Sequence, residues 1–199
     1  MKEHLHDSDP SAFWGWFVPS ESRFRNVEVP EKEALLDELL EHLQTFCPNL
    51  FFEVGGDKNG PFEFIVTAGG ETAAFPCVRD LVASAPTIQR WQVIAFKPPQ
   101  GFDFVMKHGA ARLDPRRCWF LPLADSSGGN KVKLRIGCPG FSSTAAEDYA
   151  FAAWLTLDTG LGELAVAERI EDIELALVPD EPSRQGYMRL TTLPSFLHV

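Results

Sequence analysis

No stretch of this chain is apolar over the roughly 18 residues that a membrane-crossing helix needs, so a helical membrane span is not expected. Cysteine is scarce: Cys47, Cys77, Cys118 and Cys138 are widely spaced and none forms a C-x-x-C pair. A chain of 199 residues has no need of disulfides, and the four thiols are expected to be reduced. The five histidines are scattered and give no zinc-ligand spacing, so neither a metal nor a cofactor is expected. Basic residues are outnumbered, 18 Lys+Arg against 28 Asp+Glu, for a net charge of −10. That balance disfavours non-specific nucleic-acid binding, because phosphates repel an acidic surface. Residues 1–10 lack the apolar centre of a signal peptide and read as a flexible tail, which makes the cytoplasm the expected compartment. No internal repeat or low-complexity tract is evident.

What is present is enough apolar material for a sizeable core: 45% hydrophobic residues, 12% aromatic. The charge is unevenly placed. Residues 1–60 hold 5 basic and 12 acidic side chains, residues 61–144 hold 10 and 6, and residues 145–181 hold 1 and 10. The basic middle leaves room for a local anion site.

Asp9-Pro10 offers a helix cap followed by Pro at the first helical position, and a short aromatic helix through Phe13–Phe17 is predicted to break at Pro19-Ser20. Leu35, Leu36, Leu39, Leu40, Leu43 and Phe46 form one apolar stripe of a helix over about 30–46. Residues 50–54 and 62–67 are aromatic and β-branched runs around a glycine-rich turn, a hairpin whose predicted register pairs Val54 with Phe62, Phe52 with Phe64, and Glu53 with Glu63. A helix over about 75–85 and strands over 91–96, 102–107, 118–123, 131–137 and 173–178 follow, with a turn at 126–130. Thr144–Glu147 reads as a capping box. The helix it opens is predicted to bury Ala146, Ala150, Ala153, Trp154 and Leu157, with Gly160 as its C-cap. The strands cluster instead of alternating strictly with helices. The expected fold is therefore α+β, a mainly antiparallel sheet with helices packed on one face, in a single domain over 11–199.

Four places carry candidate chemistry. In the predicted register Glu53 and Glu63 lie opposite each other on the solvent face, where a carboxylate pair suits glycoside hydrolysis or a divalent cation; the bland alternative is neutralisation by Lys131, Lys133 and Arg135. Those three residues, with Arg112, Arg116 and Arg117 upstream and Trp119 and Phe120 nearby, alternatively contact an anion or an RNA backbone. Cys138-Pro139-Gly140 precedes a helix start, where a thiol can be acidic, with His108 as the one candidate base. Trp14 and Trp16 are candidate anchors for a protein partner, or else core residues of their own helix.

The segments F-W-G-W-F (13–17), E-F-I-V-T-A-G-G (63–70), A-P-T-I-Q-R-W-Q-V-I-A-F-K-P-P (85–99) and L-D-T-G-L-G-E (157–163) together resemble an uncharacterised family of bacterial cytosolic proteins. The resemblance spans most of the chain after the tail and implies a bacterial source, but no activity or site residues. The leading functional expectation is a non-enzymatic protein-interaction or regulatory module. Behind it stand a small-molecule or metal-dependent enzyme using Glu53 and Glu63, and an anion or RNA contact on the basic strand.

Overall fold

The computed structural model describes residues 9–25, 32–56, 60–123 and 131–199. Residues 1–8 of the predicted tail and the predicted turn at 126–130 lie outside them. The expectation of one body over 11–199 meets a chain that divides into two compact units, Met1–Lys97 and Pro98–Val199. The fold is α+β, with mainly antiparallel strand pairs.

The first unit opens with α1, Pro10–Ser20. Asp9 caps it by accepting the Ser11 N–H at 2.9 Å, with Pro10 at the first helical position. The helix ends at the predicted Pro19-Ser20 break. Pro19 sits in the last turn, and a 3₁₀ turn over Glu21–Arg25 continues from Ser20. Helix α2, Lys32–Phe46, buries Leu35, Leu39, Leu43 and Phe46 of the stripe read from the sequence, while Leu36 and Leu40 are half-buried. Strands β1 (Phe51–Gly56) and β2 (Phe62–Thr67) form the predicted antiparallel hairpin. After helix α3 (Phe75–Ala83), strand β3 (Trp91–Ala95) pairs with β2 in parallel. β2 is therefore the central strand of the order β1-β2-β3, and Phe64, Ile65, Val66 and Thr67 are all buried on it. Phe64 stacks on Phe13 and Phe17 at centroid distances of 5.9 and 5.0 Å.

The second unit begins with a small hairpin, β4 (Met106–His108) and β5 (Ala111–Leu113). Only part of the predicted strand at 102–107 forms, because Phe102 turns inward and is buried. Strands β6 (Trp119–Leu123), β7 (Val132–Gly137), β8 (Ile170–Ala176) and β9 (Met188–Arg189) make a sheet of order β8-β7-β6-β9, with β7 and β8 parallel. Between β7 and β8 run α4 (Ala146–Leu161) and α5 (Glu163–Arg169); α6 (Leu193–Leu197) closes the chain with Leu193 and Leu197 buried. The predicted capping box is displaced. Ser142 caps a 3₁₀ turn at Ser143–Ala145, and α4 starts only after it. Its inward face carries Tyr149, Ala152, Ala153, Thr156, Leu157, Gly160 and Leu161, while Ala146 and Trp154 stay exposed. Gly160 is not the C-cap. It lies inside the helix, and Gly162 at φ +83° ends it.

The two units share a motif that the sequence does not display as a repeat. Each has an antiparallel pair, a loop entering a 3₁₀ turn, a helical crossover and a third strand parallel to the second: β1-β2-α3-β3 and β6-β7-α4-α5-β8. Both loops hold a positive-φ glycine, Gly70 and Gly140, then a residue whose side chain accepts a backbone N–H, Glu71 from Ala73 and Ser142 from Thr144.

Candidate functional site

The site with the clearest geometry lies within the second unit. Ala111 and Leu113 point from β5 into the core, so Arg112 between them projects outward. The chain then turns through Asp114-Pro115-Arg116-Arg117. Asp114 Oδ1 accepts the Arg116 backbone N–H at 3.1 Å, and the Asp114 carbonyl accepts that of Arg117 at 2.9 Å. Asp followed by Pro favours such a turn, since the carboxylate bonds its own backbone two residues on. Buried Leu113 and Cys118 pin both ends. A second wall comes from the loop leaving β7, closed by the Phe141 N–H donating to the Cys138 carbonyl at 3.2 Å. Gly140 stands at φ +80°, a backbone angle that favours glycine, and its carbonyl accepts the Tyr149 hydroxyl at 2.8 Å. Arg112, Asp114, Arg117, Pro139, Gly140 and Tyr149 enclose a cleft of about 300 Å³.

The charges in this cleft do not cancel. Arg116 takes Asp114 through Nε at 2.9 Å and a terminal nitrogen at 3.2 Å, and reaches Asp103 at 2.9 Å. The Arg116 hydrogen bonds, with the nearby Arg117 charge adding, hold the Asp114 carboxyl below its ordinary range. Asp114 is thus ionised and committed to Arg116. The guanidinium groups of Arg112 and Arg117 make no hydrogen bond or ion pair among the described residues. Lys107 faces Arg112 directly across the β4–β5 ladder, a like-charge pair that costs stability unless an anion offsets it. Beside this hairpin, the Asp148 carboxylate accepts the Ala110 N–H at 2.8 Å. Two planar guanidinium forks over a concave surface match the geometry of a carboxylate or phosphate.

The residues singled out from the sequence are placed elsewhere. The hairpin register is two residues from the predicted one: Glu53 faces Ile65, and Glu63 faces Gly55. The two carboxylates share a face but sit diagonally, not side by side. On that face Ile65 and Thr67 of the central strand are buried, while Phe51 and Glu53 on the edge strand stay exposed. Glu53 instead pairs with Lys97 at 3.4 Å. The register differs because β1 extends to Gly56, two residues beyond the predicted strand end. The basic stripe on β7 is neutralised by its parallel neighbour: Lys133 meets Glu171 at 3.4 Å and Arg135 meets Glu174 at 2.8 Å, while Lys131 precedes the strand and is exposed.

Trp14 is 4% exposed, and its indole N–H donates to the Leu81 carbonyl at 3.0 Å, so it presents no surface to a partner. Trp16 is half-buried, stacked on His42 at 3.8 Å. Cys138 is buried, with its thiol pushed up by the Cys118 hydrogen bond and by desolvation, the reverse of an activated nucleophile. His108 stacks on Phe151 at 4.1 Å. Arg112 and Arg117 stood in the sequence as part of the basic middle, grouped with the wrong strand; Gly140 and Tyr149 carried no signal that linked them to the arginines. No family model, no curated protein and no solved structure matches the chain.

Proposed function

We propose that this protein is a non-enzymatic binding module that takes an anionic group of a protein partner, a carboxylate or a phosphate, into the cleft between Arg112, Arg117 and the 138–141 loop. One observation carries the reading: Arg112 and Arg117 line a concave site whose one lining carboxylate, Asp114, is already engaged by a third arginine. A cytoplasmic, bacterial setting, as the resemblance implies, belongs to the same proposal. The overall charge of −10 suits this selectivity, since a diffuse polyanion is repelled while a single anionic group at the cleft is held. The basic stripe on β7 gives less support to an RNA reading, because two of its three cations, Lys133 and Arg135, already have acidic partners.

The test is thermal melting of the full chain with rising inorganic phosphate and, separately, citrate, at constant ionic strength. Wild type is expected to gain stability with either anion in the manner of ligand linkage. The double variant Arg112→Gln/Arg117→Gln is expected to lose that gain while still melting cooperatively. An identical anion response in both proteins rejects the reading.

A further inference from the structure

The antiparallel ladder pairs Trp119 of β6 with Gly137 of β7. One step further, the same register sets Cys118 against Cys138. Their backbones do not bond to each other. The Cys118 carbonyl accepts the Leu190 N–H at 3.0 Å, and the Cys138 N–H donates to the Ala176 carbonyl on β8 at 2.8 Å. The Cys118 N–H reaches Pro115 at 3.2 Å, and the Cys138 carbonyl takes the Phe141 N–H. Opposed residues without mutual ladder bonds have Cα atoms about 4.5 Å apart, and their side chains leave the same face of the sheet. That spacing lies inside the range of roughly 4.4–6.8 Å that a disulfide accepts. Both cysteines are free and buried, at 0% and 1% exposure, in one apolar cluster.

We propose that Cys118 and Cys138 form an oxidisable dithiol that hydrogen peroxide converts into a cross-strand disulfide between β6 and β7. In the first step the sulfur of one cysteine, as thiolate, attacks a peroxide oxygen. The O–O bond breaks, and the departing hydroxide takes the thiol proton to leave as water. The product is a sulfenic acid. The second cysteine sulfur then attacks the oxidised sulfur, the S–S bond forms and the S–O bond breaks. The hydroxyl leaves as a second water with the second thiol proton. Two thiols and one peroxide become one disulfide and two waters, with two electrons passing from sulfur to oxygen. The Cys118 hydrogen bond and burial make Cys138 hold its proton tightly, so the reaction is slow at neutral pH and accelerates in alkali. A small uncharged oxidant is required because the site is packed.

The full wild-type chain is treated with hydrogen peroxide under native conditions, its remaining thiols are alkylated in denaturant, and unreduced peptides are mapped by mass spectrometry. The expected product has lost the mass of two hydrogen atoms, contains the Cys118 and Cys138 peptides linked together, and reverts with dithiothreitol. Its yield at fixed time rises with pH. In Cys118→Ala the link is absent and Cys138 is recovered as a thiol or sulfenic acid. If that variant does not fold, the wild-type map decides alone. Recovery of Cys118 and Cys138 as separate alkylated or sulfinic residues, their linkage to Cys47 or Cys77, or linkage arising only in denaturant each overturns the proposal.

Discussion

Gly160 has no room for a methyl group. A Cβ built there would lie 2.1 Å from the ring of Phe102, itself packed in the core of the second unit. Gly160→Ala is therefore expected to lower stability by about 1–3 kcal/mol, the usual result of overpacking a filled interior. Urea denaturation measures it. Phe102→Leu in the same chain should recover part of the loss, because the two sites share one clash. Trp14 makes a different demand at this scale. Its indole N–H serves both the Leu81 carbonyl and the Ser84 hydroxyl at 3.1 Å. Trp14→Phe removes that donor and should cost about 1 kcal/mol, with the anion response of the second unit unchanged.

At the scale of elements, the arrangement of strands decides which charges matter. Glu53 has a side chain 49% exposed and one lysine partner. Glu53→Gln should accordingly shift the urea midpoint by the equivalent of less than about 0.5 kcal/mol, as exposed ion pairs contribute little. A larger loss would mean that the carboxylate holds something more than Lys97. On β7, the parallel pairing with β8 brings Arg135 to Glu174 and Lys133 to Glu171. A double-mutant cycle on Arg135 and Glu174 should give a coupling of about 0.2–1 kcal/mol that fades with added salt.

The hairpin of residues 51–67 was legible from its aromatic, β-branched runs and the glycines between them. Its register was not, since a glycine-rich connection does not by itself select which residues close the ladder. The helix at 146–161 was legible as a helix. Its buried face was not, because Tyr149 and Thr156 are inward residues that a pattern of apolar side chains does not include.

At the scale of the molecule, alkaline pH is the informative variable. Burial first, then the Cys47 hydrogen bond, pushes the Cys77 thiol up to about 12 from an ordinary value of 9.0. The Cys118 hydrogen bond and burial raise Cys138 as well. Above pH 9 the unfolded chain releases these protons while the folded chain keeps them. Their contribution is therefore complete below about pH 9 and is lost as pH climbs toward about 12. Thermal midpoints should be level up to about pH 9 and decline beyond it, and Cys77→Ala should decline less steeply. Equal slopes in the two proteins would remove the assignment.

The same scale holds the two units and their common strand–strand–helix–strand motif. Local chemistry wrote each piece of that motif into the chain: helix stripes, a capping aspartate, β-branched runs, turn-forming glycines and prolines. From those the α+β class, the first long helix and most strands follow, because each depends on neighbours a few residues away. Tertiary structure alone decided that β2 pairs in parallel with β3, that β7 pairs in parallel with β8, and that Arg112, Arg117, Gly140 and Tyr149 enclose one cleft. Those outcomes join residues tens of positions apart. Spacing along a chain carries no record of which distant segments a sheet will bring side by side.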